Sequence, residues 1–287
     1  LNTPPVDALE QAITAHRQTR PQDRTFQLTT TQGQALWIKT PSAPRLRWLY
    51  TFTNQLMIWM GMPYFQAPPH AGGPGGIASL QIEKQMLLHL KEAGVPVPDV
   101  VASTSQWIAL STVGDKNLDE QLNADAWLER QQLWRQAVQS IADVHARGCF
   151  LSQCFARNML LHKIPAPLPG QPPYQIYFLD LEEDPSAVMT LAQAQIRDWA
   201  LFLHSTASLV TQDMAACQQF LLNYLQQESA DVQQEAKRLF RQLARLRWLK
   251  HFQWLGRDGI RLYQLGLFAQ GISQHLQQQD HKDNGSY

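Results

Sequence analysis

The stretch His145-Ala146-Arg147-Gly148-Cys149-Phe150-Leu151-Ser152-Gln153-Cys154-Phe155-Ala156-Arg157-Asn158-Met159-Leu160-Leu161 decides how the rest of the chain is read. It begins where a helical pattern over roughly residues 126–147 runs out at a glycine, and it ends on an apolar run suited to a strand. Between them lies a polar loop with Gln153 and, five positions on, Asn158. Downstream, Ile176-Tyr177-Phe178-Leu179 reads as a buried strand that stops at Asp180, which opens Asp180-Leu181-Glu182-Glu183-Asp184. The amide oxygen of Asn158 and the carboxylate of Asp180 are hard donors of the kind that hold Mg²⁺ carried with phosphates. For Asp180 alone, an acidic surface turn is the alternative.

The loop aligns without a gap to the catalytic loop of protein kinases, H-R-D-x-x-x-x-N, in which the Asp accepts the substrate hydroxyl proton and the Asn holds a magnesium ion. Asn158 is retained, Gln153 stands where the Asp would be, and a neutral amide cannot be that base. Asp180 corresponds to the metal-binding Asp that starts D-F-G. Working towards the N-terminus, Phe26-Gln27-Leu28 and Ala35-Leu36-Trp37-Ile38 flank Thr31-Gln32-Gly33-Gln34 as a hairpin that ends on Lys39, like the lysine of V-A-I-K. Ile82, Met86, Leu87 and Leu90 repeat at helical spacing, with Glu83 near the start; in kinases a glutamate of that helix holds the strand lysine against the nucleotide phosphates. Read singly, Lys39 is more often a surface lysine, and Glu83 is equally a carboxylate favoured by a helix N-terminus. Together they give a kinase part list, hence an α+β, two-lobed expectation. Residues 1–113 would form a β-rich nucleotide lobe with an inserted aromatic segment at about 44–78, residues 114–280 a helical lobe, and residues 281–287 a disordered polar tail.

Three stretches narrow the comparison: Gly72-Gly73-Pro74-Gly75-Gly76 through Glu83; Leu90-Lys91-Glu92-Ala93-Gly94-Val95-Pro96-Val97-Pro98; and Phe178-Leu179-Asp180-Leu181-Glu182. With them residues 38–203 resemble the lipopolysaccharide core kinase family, the InaA and Kdo-kinase group of the protein-kinase-like superfamily. The second stretch also occurs in small-molecule phosphotransferases of the aminoglycoside-kinase type. The resemblance implies a bacterial protein that binds ATP and Mg²⁺, with Lys39, Glu83, Asn158 and Asp180 at the nucleotide and Asn158 and Asp180 at the metal. It also implies a lipopolysaccharide-core or other sugar hydroxyl as acceptor. Active members keep the catalytic Asp, whereas InaA-like members are similar to this chain in having a degenerate loop. Two readings stand: a phosphotransferase lacking its usual base, and a pseudokinase serving as a nucleotide-responsive binding or regulatory module. The carboxylates Glu182, Glu183 and Asp184 are candidates for metal ligands or a substitute base. The hairpin offers only Gly33 where a kinase has G-x-G-x-x-G; Gly72–Gly76 would supply backbone N–H groups instead or act as a connector.

The 287 residues carry 24 Lys plus Arg against 24 Asp plus Glu, so no whole-protein field draws the chain to nucleic acid, and no such partner is expected. Cys149, Cys154 and Cys217, odd in number and without metal-type spacing, fit a reducing compartment. With no basic leader and no 18-residue apolar span, a cytoplasmic protein is expected. Two local features point to the inner membrane. Arg45, Arg47 and Trp48 precede an aromatic stretch without charge, and Lys237, Arg238, Arg241, Arg245, Arg247 and Lys250 cluster with Trp248 and Trp254. A packed helix and a solvated helix face are the respective alternatives.

Overall fold

The computed structural model describes residues 5–41, 64, 76–168, 171–251 and 256–284. Its first sheet is set by alternation in the hairpin. Strands β1 (Thr25–Thr29) and β2 (Ala35–Lys39) pair antiparallel, with Phe26 opposite Ile38 and Leu28 opposite Leu36. The period of two sends Phe26, Leu36 and Ile38 to one face, where they bury with Leu9 and Ile13 of helix α1 (Val6–Thr19). Trp37 and Lys39 are left on the other face. Strands β3 (Val100–Ser103) and β4 (Ile108–Ser111) complete an antiparallel sheet in the order β1-β2-β4-β3. Among the described residues no strand precedes β1; α1 covers the sheet instead.

Helix α2 (Gly76–Glu92) buries Leu80, Met86, Leu87 and Leu90 in a second, larger core that also takes Ile108 and Leu110 of β4. It stops in a Schellman arrangement: Gly94, at φ 75°, donates to Lys91 O, and Val95 donates to Leu90 O. The helix starts at Gly76, earlier than the apolar spacing suggests, because the uncharged run Ile77-Ala78-Ser79-Leu80-Gln81 carries no start signal. Glu83 therefore lies well inside α2, and its carboxylate is not explained by a helix N-terminus. The rest of the aromatic segment expected at about 44–78 lies outside the described residues, apart from Tyr64 and the first residues of α2. Tyr64 is buried and its hydroxyl donates to Glu235 Oε2 at 2.6 Å.

At Gly114 the chain passes to a second antiparallel sheet, ordered β5 (Lys116–Asn117), β6 (Met159–Lys163), β7 (Tyr174–Phe178). Gly114 has φ 63°, and a Cβ there would stand 2.7 Å from Leu161 O, so only glycine fits this crossing. Asn117 caps α3 (Leu118–Ala124) by accepting from Glu120 N at 2.8 Å. Helix α4 (Trp127–Ala146) ends at Gly148, φ 70°, in a second Schellman turn that delivers the chain into the loop 149–158. A capping box between Thr190 and Gln193 opens α5 (Leu191–Thr206), followed by α6 (Met214–Leu225), α7 (Ala230–Leu243) and α8 (Gly256–Asn284). Helix α8 carries residues 281–284, which the composition assigns to a disordered tail; the polar sequence extends an already formed helix. The α+β chain is held mainly by fully buried Trp134, Trp199, Phe202, Phe240 and Phe268, each worth about 3–5 kcal/mol against alanine. No helix among the described residues is long and apolar enough to cross a membrane.

Candidate functional site

A cavity of about 340 Å³ lies between the two sheets, and Lys39, Glu83, Asn158 and Asp180 all line it. Lys39 reaches it from the end of β2, on the face opposite α1. Its Nζ stands 2.5 Å from Glu83 Oε1 and 3.8 Å from Asp180 Oδ1. The Glu83 side chain is only 2% exposed, and its Oε2 has no hydrogen-bond partner among the described residues. Burial alone lowers the pKa of the Lys39 ammonium, but attraction to Glu83 and Asp180 outweighs it and leaves the pKa raised. Burial raises the pKa of the Glu83 carboxyl against the opposing pull of Lys39. Trp37, Leu110 and Val113 add an apolar wall from the first sheet, and Leu160 and Leu179 one from the second.

Asn158 ends a 3₁₀ turn (Ala156–Asn158) and is buried. Its amide nitrogen donates to Gln153 O at 2.9 Å and to Asp180 Oδ2 at 3.4 Å. The backbone repeats the link, since Leu179 N donates to Asn158 O at 2.8 Å. Asp180 sits at φ 60°, a left-handed conformation uncommon for a residue with a side chain. Such strain persists where the surroundings over-determine it. With the Asn158 nitrogen committed to Gln153 and Asp180, its oxygen and the Asp180 carboxylate form a hard-oxygen pair. That donor set fits Mg²⁺.

Gln153 does not line the cavity. Its carbonyl accepts from Asn158 Nδ2 and from Phe155 N, so the residue is tied to the site through its backbone. Behind it lies a buried network for which the catalytic-loop alignment gave no role. Asp198 Oδ2 accepts from Leu151 N at 2.7 Å and meets His145 Nε2 at 3.3 Å, while His145 Nδ1 meets Glu228 Oε1 at 2.7 Å. An imidazole facing two ionised carboxylates donates from both nitrogens and is then charged. Burial opposes that charge, but the bonds to Asp198 and Glu228 prevail and push the His145 pKa up to about 9. Arg197 donates to Ser152 O and to Glu183 Oε2, both at 2.8 Å, and the Ser152 hydroxyl donates to Glu183 O. The visible signal is Arg197-Asp198 in the middle of the apolar run Ala194–Leu203.

The carboxylates after Asp180 now separate. Glu183 is held by Arg197, and Asp184 caps the short turn Pro185–Ala187 by accepting from Ser186 N. Among the described residues Glu182 is bound only to Arg24, at 3.2 Å, beside the cavity. No family model and no curated protein matches the sequence. Among solved structures the chain is similar to WaaP in complex with acyl carrier protein, at 16% identity over 85% of this chain and 87% of that one, with a TM-score of 0.47. A likeness of that degree says nothing about activity.

Proposed function

We propose that the protein is kinase-like and two-lobed, residues 1–113 against residues 114–280, and that it binds ATP with Mg²⁺ in the cavity between its sheets. The observation that carries this reading is the Lys39–Glu83 ion pair facing Asp180 inside one cavity. Sequestering a carboxylate is costly unless it is paired. Here the pair has a use, because it aims an ammonium at the space where phosphates would lie. Asn158 and Asp180 would hold the metal, which when bound would neutralise charge on the phosphate oxygens. Trp37 and Leu160 would exclude water from the base.

The reading favoured at Gln153 is a nucleotide-responsive pseudokinase, because general-base help is worth about 10²–10⁴-fold in rate and an amide cannot supply it. The second reading, slow transfer to a sugar or lipid-linked sugar hydroxyl, draws on the loop network: Leu151, Ser152 and Asn158 stay anchored, and phosphoryl transfer relies largely on positioning. A thermal-shift titration with Mg-ATP tests the binding. The wild type should melt higher with ligand and Asp180→Ala should not; no shift in the wild type, or an undiminished one in the variant, removes the proposal. ATP turnover that survives Gln153→Ala and vanishes in Asp180→Ala would favour the enzyme, and no turnover with candidate sugars the pseudokinase.

We also place the protein in the cytoplasm, peripheral to the inner membrane. Exposed Arg241, Arg245, Arg247 and Lys250, with Trp248 54% exposed beside them, support this placement. Co-sedimentation with anionic liposomes at low salt should occur; its absence would remove the membrane contact.

A further inference from the structure

A kinase cleft ordinarily covers the phosphates with backbone N–H groups of a glycine-rich loop between its first two strands. Here the chain enters β1 directly from α1 through Arg20-Pro21-Gln22-Asp23-Arg24. The backbone of Arg24 is fixed beside Lys39. Thr25 pairs with Lys39, and Arg24 O accepts from Thr40 N at 2.8 Å and Thr40 Oγ1 at 3.2 Å. From that position the guanidinium spans to Glu182 Oε1 at 3.2 Å, two residues beyond Asp180. One ion pair thus joins the edge of the first sheet to the segment after β7.

The two cations and three carboxylates gathered here are not equivalent. Lys39 is committed to buried Glu83, whereas the Arg24 and Glu182 side chains are 44% and 23% exposed. A solvent-exposed ion pair is weak and exchanges its partner readily. A guanidinium also presents a planar fork that matches phosphate oxygens two at a time, which an ammonium does not.

We propose that Arg24 is a phosphate-binding residue of this cleft, supplying what the β1–β2 hairpin, with Gly33 alone, does not, and held by Glu182 until a polyphosphate chain takes it over. The inference rests on the nucleotide reading above. It specifies that the polyphosphate, and not the base, breaks the Arg24–Glu182 contact. Neutralising Glu182 frees the guanidinium and removes a repelling charge, so Glu182 acts against anionic ligands that arrive without metal.

Isothermal titration of the full chain tests this with three ligands: metal-free inorganic tripolyphosphate, Mg-ATP and adenosine. Arg24→Ala should weaken tripolyphosphate and Mg-ATP roughly tenfold, the scale of one charge-assisted contact, and leave adenosine unchanged; Arg24→Lys should recover part of the loss. Glu182→Gln should tighten metal-free tripolyphosphate severalfold. Melting of each unliganded variant at the wild-type temperature shows that folding is intact. If wild type binds Mg-ATP and Arg24→Ala binds it equally, or if Glu182→Gln weakens tripolyphosphate, the role of Arg24 is overturned while the nucleotide site stands. If neither wild type nor Glu182→Gln binds any of the three ligands, both fall.

Discussion

Two sets of charged groups flank the loop that carries Gln153, and the fold treats them in opposite ways. On the cavity side, Asp180, Arg24 and Glu182 keep part of their surface in water; Arg24 and Glu182 share one ion pair, and Asp180 has two long contacts, 3.8 Å to Lys39 and 3.4 Å to Asn158. On the far side, His145 and Asp198 are sealed completely, with Glu228 and Arg197 nearly so, and they share multiple bonds with one another and with the loop backbone. The first set can exchange partners with a ligand. The second holds Leu151 and Ser152 in place and touches no part of the cavity. Because its bonds go to backbone atoms, the identity of residue 153 is immaterial to it. A loop can therefore lose its base without losing its shape, and the molecule separates stability from chemistry at this point.

The largest effect is expected at Asp198. Asp198→Ala leaves the Leu151 amide and one face of His145 without partners, and should lower unfolding free energy by about 3–5 kcal/mol in urea denaturation. Next comes pH. The His145 pKa is raised from its ordinary value of 6.5 to about 9 when folded, so its contribution is complete below the unfolded value and lost as pH rises through about 9. A shift of that size corresponds to about 3 kcal/mol. The urea midpoint should fall across this window, and Asp198→Ala should flatten the fall. On the cavity side, Lys39→Met strands the Glu83 carboxylate and should cost about 3 kcal/mol, the low end for breaking a buried pair because Lys39 is partly exposed. Adding Glu83→Gln should return most of that stability while Mg-ATP still gives no thermal shift. Smallest is Arg24→Ala, expected to change unfolding by no more than about 0.5 kcal/mol once solvent screening is counted. A loss as large as that of Asp198→Ala would erase the distinction between the two sets.

The cavity residues are the legible part of the site. Lys39 and Asp180 each follow a short apolar run, and Asn158 lies at a fixed distance from the end of a long helix, so local pattern marks all three. Glu83 is legible as a helix residue but not as a buried one, because the uncharged residues before it hide where α2 begins. The network behind the loop is hidden for a different reason. His145 and Asp198 are 53 positions apart, and only the packing of α5 against the end of α4 joins them. Arg197 and Asp198 still stand out as charges inside an apolar run, a mark that something must satisfy them. The four-stranded sheet is legible from the alternation in β2. The covering of that sheet by α1, with no strand before β1, is a matter of tertiary choice that a short amphipathic helix does not announce.

Gly114 sets a limit on how this protein can diversify. Where the chain crosses from β4 to β5, a side chain would strike the Leu161 carbonyl, so that part of the cavity wall is backbone against backbone. No side chain at position 114 can narrow or recharge it. Descendants of this chain that came to favour a different ligand would have to acquire that preference through Trp37, Leu110, Val113 or Leu160. At position 114 itself they would inherit an unaltered ruler against which every ligand is measured.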